Sequence, residues 1–148
     1  MATDQSIDNA TQEHRRLVHF TPFADQDMNG WVLHEGATLE TDYFCSVHAG
    51  SDFAQELIFS IADLPEFIIG ANYLISLAAR RKGGSDTDCL QIHDSRGPVI
   101  SFSAVGPSWE TYTGAFILKS KNNLQIFGLF QGGEGEFHVD DIRIWAID

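Results

Sequence analysis

Three runs of alternating residues carry the side chains best suited to binding chemistry. In 72–80 every second residue from Tyr73 is apolar, and 89–93 and 123–130 alternate in the same way. In a half-buried strand every second side chain points away from the core. The outward polar and aromatic side chains are then Arg80, Gln91, His93, Gln125 and Phe127. Amide and guanidinium groups hydrogen-bond hydroxyls, and an aromatic ring stacks on the apolar side of a pyranose, so this set favours sugar binding.

The opposing interpretation is a solvated surface, because the outer face of an antiparallel sheet is normally polar. Arg80, Gln91 and His93 would each be ordinary on such a face. Phe127 favours binding, because apolar surface that is exposed to solvent often marks a binding site. Tyr43 is a second outward aromatic candidate.

Positioning these side chains requires strands, and the chain consists of short β-like runs separated by turn residues such as Asn29-Gly30 and Gly132-Gly133. Ten strands are predicted, at 17–20, 31–33, 43–48, 55–61, 72–80, 89–93, 99–104, 112–118, 123–130 and 137–147. One short helical turn is expected within 63–69 as a connector. So many short strands predict an all-β sandwich or barrel.

The length of 148 residues and an apolar content of 43% predict one domain with one core. Residues 1–16 are polar, so we expect a flexible N-terminal tail followed by a folded domain over 17–148. This tail lacks the apolar core of a secretory signal, which leaves three alternatives: an intracellular protein, a processed or excised piece, or export without a cleaved signal.

The charge is strongly acidic, with 21 acidic and 9 basic residues and a net charge of -12. Such a surface repels nucleic acid and anionic lipid, so neither is an expected partner. The two cysteines, Cys45 and Cys89, are expected to be buried free thiols, with one bridge as the alternative. The six histidines show no ligand spacing for zinc.

The chain shows no catalytic motif of the common hydrolase, phosphate-loop or metalloprotease kinds. Glu110, Glu134 and Glu136 are the nearest candidates for a pair of catalytic carboxylates, and solvation explains them equally well. We therefore expect a protein that is not an enzyme on its own.

A series of short motifs follows one another along the chain in an order that is typical of a known family. It comprises Phe23, Gly30-Trp31, Gln55 to Ile58, Leu64, Tyr73 to Ser76, Ala79-Arg80, Leu90 to Ile92, Trp109, Tyr112, Phe116, Leu124 to Phe127 and Phe137 to Ile142. This order over residues 17 to 147 resembles the jelly-roll carbohydrate-binding modules of the xylan- and glucan-binding type, within the galactose-binding-like fold. Such a fold is a two-sheet antiparallel β-sandwich.

The resemblance implies that the strands with the outward residues share one sheet, whose outer face binds a neutral oligosaccharide or polysaccharide. Galactose-binding-like domains also serve in protein interaction or assembly, so that function is the alternative. An outward Trp145, lying under the N-terminal tail or in an interface, favours this alternative and self-association. Trp31 and Trp109 are both expected in the core.

The resemblance further implies a structural calcium, held by an acidic residue just after the opening Phe and by an Asp of the closing pair. Asp140 and Asp141 stand where the pair should be, but Ala24 follows Phe23, and the nearest acidic groups are Asp25 and Asp27. Calcium needs six to eight oxygen ligands. The expected ligands are Asp25 and Asp140, and the alternative is an Asp140 hydrogen-bonded to backbone amides without metal.

Overall fold

Eleven antiparallel strands form two sheets in the computed structural model, which describes residues 15–34, 37–41, 43–48, 55–130 and 135–147. Sheet 1 has the order β3 (Thr38–Leu39), β4 (Phe44–His48), β11 (Gly135–Ile147), β6 (Asn72–Gly83) and β9 (Glu110–Ile117), and β1 (Arg15–Thr21) also pairs with β11. Sheet 2 has the order β2 (Trp31–His34), β5 (Gln55–Ser60), β10 (Asn123–Leu129), β7 (Cys89–Asp94) and β8 (Gly97–Ser103).

The all-β prediction is confirmed, and each of the ten predicted strands is present with ends shifted by a few residues. The two-residue strand β3 was missed, because two residues are too few to show alternation. The expected helical turn at 63–69 is instead a series of hydrogen-bonded turns. The predicted tail ends two residues too late, since Arg15 and Arg16 pair with Ile147 and Ala146 in β11. The rest of the predicted tail lies outside the described residues.

The core lies between the sheets and takes one side of each long strand. In β6 the side chains of Tyr73, Ile75, Leu77 and Ala79 are all buried, as the alternation predicts. Trp31 is only 3% exposed, which confirms its predicted place in the core. The prediction for Trp109 is wrong, because its side chain is 38% exposed at the entry to β9.

A chain of aromatic rings in edge-to-face and stacked contacts crosses this core. The ring centroids of Phe59 and Phe67 are 6.2 Å apart, those of Phe67 and Tyr73 are 5.4 Å apart, and those of Tyr73 and Phe116 are 5.7 Å apart. The Tyr73 hydroxyl accepts a hydrogen bond from the Ile68 amide at 2.6 Å and donates one to the Glu66 carbonyl at 3.0 Å. Tyr73 therefore joins the core to the turns between β5 and β6.

The longest strand, β11, contains a bulge. Its pairing register with β6 shifts between Asp140 and Arg143, where Asp141 takes a φ of 51°. A bulge bends the strand, and here it separates the half paired with β4 from the half paired with β1. Within the described ranges, no helix is long and apolar enough to cross a membrane.

Candidate functional site

Four of the five predicted binding residues meet on the outer face of sheet 2. Phe127 pairs with Gln91 across β10 and β7, and Gln125 pairs with His93 in the next outward row. All four are half-buried, while Leu124, Ile126, Leu90 and Ile92 between them are buried. The two rows lie about 7 Å apart along the strands. We call these four residues, together with Ser101, the sheet 2 face.

Arg80 does not belong to this face, so the prediction that five residues share one sheet is wrong. The strand that carries Arg80, β6, pairs with β11 and β9 in sheet 1. Alternation shows which side of its own strand a residue faces, whereas the sheet that a strand joins depends on pairing between distant segments. Arg80 faces outward as predicted, but on the opposite side of the sandwich.

A planar contact forms the centre of the sheet 2 face. The rings of His93 and Phe127 stack with their centroids 4.6 Å apart and their planes 15° apart. The His93 Nε2 atom lies 2.9 Å from Gln91 Oε1, and Gln91 Nε2 faces Ser101 Oγ at 3.5 Å. One side-chain amide thus connects the stacked rings to β8.

Burial lowers the pKa of His93 below its ordinary value of 6.5, and the negative charge of Asp94 opposes this only in part. A neutral imidazole carries one N–H, so donation from Nε2 to Gln91 Oε1 leaves Nδ1 as an acceptor. At neutral pH the stacked pair is therefore uncharged, which suits a neutral ligand.

Two apolar side chains that were not predicted as binding residues lie beside the sheet 2 face. Val32, which is 62% exposed, pairs with Ile58, and Ile58 pairs with Gln125. Alternation could have found Val32, since it lies between the inward residues Trp31 and Leu33. Its position beside Gln125 depends on the order of strands in the sheet, which the sequence did not reveal.

A buried carboxylate supports the strands beneath this face. Asp94 is 2% exposed, and its two oxygens accept hydrogen bonds from the Arg96 amide at 2.8 Å and the Lys119 amide at 2.9 Å. The neighbouring Ser95 hydroxyl accepts a hydrogen bond from the Asn123 amide at 3.1 Å. These contacts tie the turn after β7 to the start of β10, which holds His93 and Phe127 in register.

The structure does not test calcium binding by the predicted ligands, Asp25 and Asp140. Asp25 is exposed on a short 3-10 turn with a φ of 54°, and Asp140 Oδ1 accepts a hydrogen bond from the Asp141 amide at 2.8 Å. Among the residues that the structure describes, no group of three His, Cys, Asp or Glu side chains could hold a metal ion. Backbone carbonyls are also calcium ligands, so calcium stays a prediction.

Other predicted residues lie away from the sheet 2 face. Glu136 Oε2 contacts His138 Nε2 at 2.7 Å, and Glu110 Oε2 accepts a hydrogen bond from Tyr112 at 3.4 Å. Glu134 lies outside the described residues. Cys89 is a free thiol, as expected, but it is half-buried rather than fully buried. The side chain of Cys45 is not described.

No protein-family model and no curated protein sequence match this chain. Several solved structures, in contrast, are similar to this chain. The xylan-binding domain CBM22-1 of Paenibacillus barcinonensis Xyn10C superposes with a TM-score of 0.62 at 12% identity, covering 90% of this chain and 96% of that domain. The C-terminal family 22 carbohydrate-binding module of Clostridium thermocellum Xyn10B gives 0.60 at 13%, covering 88% and 94%.

A third structure is the N-terminal cellulose-binding domain of Cellulomonas fimi β-1,4-glucanase C, with a TM-score of 0.55 at 18% identity over 84% of this chain and 95% of that domain. The chain has the fold of these modules. The predicted two-sheet jelly-roll β-sandwich is thereby confirmed. At such identities the likeness is one of fold, and a ligand must be argued from the residues of this chain.

Acidification is expected to destabilise this domain. Burial lowers the pKa of both His93 and His19 in the folded protein, with Glu66 opposing the shift at His19. As the pH falls, the two histidines are therefore protonated in the unfolded chain before they are protonated in the folded protein. The free energy of unfolding should be largest above pH 6.5 and should decrease as the pH drops below that value. Urea denaturation at pH 7.5 and 5.5 measures the loss, and His93→Gln should reduce it. An equal loss in the variant would contradict a contribution from His93.

Proposed function

We propose that this domain is a non-catalytic module that binds neutral glycan chains on the sheet 2 face. The observation that carries the proposal is the near-parallel stack of His93 on Phe127 beside the side-chain amide of Gln91. A flat ring surface contacts the apolar side of a pyranose, and amide and imidazole groups bond its hydroxyls. The fold supports the proposal, because similar structures are named as xylan-binding and cellulose-binding domains.

The dimensions of the face also support an extended ligand. The row Phe127, Gln91 and Ser101 crosses three strands, and the row of Val32, Ile58, Gln125 and His93 crosses four. Neighbouring strands are about 4.8 Å apart, so such rows cover about 10 to 15 Å. That is the length of a few sugar units, which favours an oligosaccharide or polysaccharide chain over a single sugar.

Protein assembly is the weaker alternative, because the outward ring of Trp145 is partly covered within one molecule. Trp145 pairs with Leu17 of β1 and Leu74 of β6, and the Arg15 guanidinium lies over its ring at 4.5 Å from the centroid. The N-terminal strand therefore covers part of Trp145 within one molecule.

Titration with xylohexaose and cellohexaose, followed by backbone amide NMR, tests the proposed function. We expect shifts centred on Gln91, His93 and Phe127, with β9 in sheet 1 unchanged. Shifts centred elsewhere would show that the ligand binds outside the sheet 2 face. If neither hexasaccharide nor soluble xylan or glucan caused any shift, glycan binding would be contradicted. Analytical ultracentrifugation of the same sample tests self-association.

Calcium binding has a separate test. If Asp25 and Asp140 bind calcium, 5 mM CaCl₂ added to chelated protein should raise the melting temperature, because a ligand that binds only the folded state stabilises it. The variant Asp140→Asn should lose the shift, while Asp63→Asn, at an exposed turn position, should keep it. An unchanged melting temperature would contradict the metal site.

A further inference from the structure

Arg80 lies on the outer face of sheet 1, and its guanidinium is fixed by contacts on several sides. Its Nε donates a hydrogen bond to His138 Nδ1 at 2.9 Å. Its guanidinium carbon lies 4.8 Å from the ring centroid of Trp109 and 5.7 Å from that of Tyr43. Cation–π contacts of this kind hold a guanidinium in one orientation. The side chain is therefore held in place before any ligand arrives.

His138 is the residue that orients Arg80. It is 4% exposed, and its other ring nitrogen, Nε2, lies 2.7 Å from Glu136 Oε2. Because Nδ1 accepts a hydrogen bond from Arg80, Nε2 carries the hydrogen and donates a hydrogen bond to Glu136 Oε2. The chain Glu136, His138, Arg80 thus fixes the direction in which the guanidinium points.

The terminal nitrogens of Arg80 remain available for a ligand. The structure gives them no hydrogen bond to any described residue, although Nε is bonded. Arg80 lines a groove of about 390 Å³ together with Arg81, Lys82, Gly83 and Pro107. A planar guanidinium with two free N–H groups side by side matches a carboxylate in a two-point contact.

The local charge is positive even though the whole chain is acidic. Residues 80–82 provide three of the nine basic residues of the chain. Asp86 pairs with Arg81 at 3.0 Å, and Glu136 lies opposite Lys82 in the pairing of β11 with β6, where it contacts His138. The three basic residues outnumber these two carboxylates, and within the described residues neither Arg80 nor Lys82 forms an ion pair with a carboxylate. Charges farther away than about 8 to 10 Å are largely screened at physiological salt, so the groove attracts an anion despite the net charge of -12.

We infer that this groove on sheet 1 is a second site, which binds the carboxylate of an acidic saccharide such as a uronic acid. The inference rests on the proposed function for the view that the ligand is a sugar. The ring of Trp109, 38% exposed, and that of Tyr43 lie 5.6 Å apart beside the guanidinium and offer an aromatic contact to the pyranose. The two sites are on opposite faces, so they bind separate chains or separate substituents.

NMR titrations with D-glucuronate, D-glucose and inorganic phosphate test this site. We expect glucuronate to shift signals at Arg80, Trp109 and Lys82, and glucose to leave them unchanged. The variant Arg80→Gln should weaken glucuronate binding at least 10-fold, and 0.5 M NaCl should weaken it in the original protein. Arg96→Gln is the matched control, because Arg96 is exposed in the turn between β7 and β8 and its loss changes the net charge equally.

Equal weakening in Arg80→Gln and Arg96→Gln, or phosphate binding as tight as glucuronate binding, would overturn the assignment. Lys82→Gln, at an exposed position, tests the groove without disturbing the aromatic contacts and should also weaken glucuronate binding. Xylohexaose titrated into the same samples separates the two proposals. Binding of xylohexaose at sheet 2 without a glucuronate response overturns only the second site, and a glucuronate response without neutral binding overturns only the proposed function.

Discussion

Replacing Phe127 with alanine is expected to weaken the binding of neutral oligosaccharides at least 10-fold. The substitution removes the ring that stacks on His93 at 4.6 Å and with it the flat apolar surface for a pyranose. Aromatic pairs contribute about 0.5–1.5 kcal/mol beyond the area that they bury, and about 1.4 kcal/mol corresponds to a factor of ten in affinity. Isothermal titration calorimetry with xylohexaose and cellohexaose measures the change.

Two variants show whether the ring itself is responsible. Phe127→Tyr keeps the ring and should bind within a few-fold of the original protein, whereas Phe127→Leu keeps apolar area without a ring and should resemble the alanine variant. Thr113→Ala, at an exposed position of β9 in sheet 1, should bind normally. Unchanged affinity in Phe127→Ala, with an unchanged melting temperature, would contradict the role of the sheet 2 face.

Replacing Tyr73 with alanine should lower the free energy of unfolding by about 3–5 kcal/mol, the range for truncating a large buried aromatic residue. Tyr73 is 1% exposed and stacks between Phe67 and Phe116, so its removal leaves a cavity in the middle of the aromatic chain. Its hydroxyl also bonds the Ile68 amide and the Glu66 carbonyl. Urea denaturation at pH 7.5 measures the loss.

Tyr73→Phe separates the two contributions. It keeps the ring but leaves the Ile68 amide and the Glu66 carbonyl without their partner, which should cost about 1–3 kcal/mol. Thr111→Ala, on the exposed side of β9, should change stability by less than about 0.5 kcal/mol. Equal losses in Tyr73→Ala and Tyr73→Phe would show that the hydroxyl contacts, rather than ring packing, determine the effect.

Local patterns were sufficient for the strands and for the side chains that they bury. Tyr73 and Trp31 occupy the core as their spacing predicts, because alternation follows directly from the geometry of an extended chain. Asn29 and Gly30 take φ angles of 42° and 95°, the left-handed conformations that an Asn-Gly turn favours. Trp109 was misjudged, because it precedes the first residue of β9 and no alternation applies to it.

Residue patterns along the chain were enough to predict an all-β domain, its ten longer strands, and the outward direction of five side chains, Arg80, Gln91, His93, Gln125 and Phe127. These properties depend on neighbours within a few residues along the chain. Which outward residues meet could be learned only from the folded molecule, because strand pairing joins residues far apart in sequence and depends on the packing of the whole core. In the structure, four of the five lie on sheet 2 around the stack of His93 on Phe127, and Arg80 lies on sheet 1 beside His138.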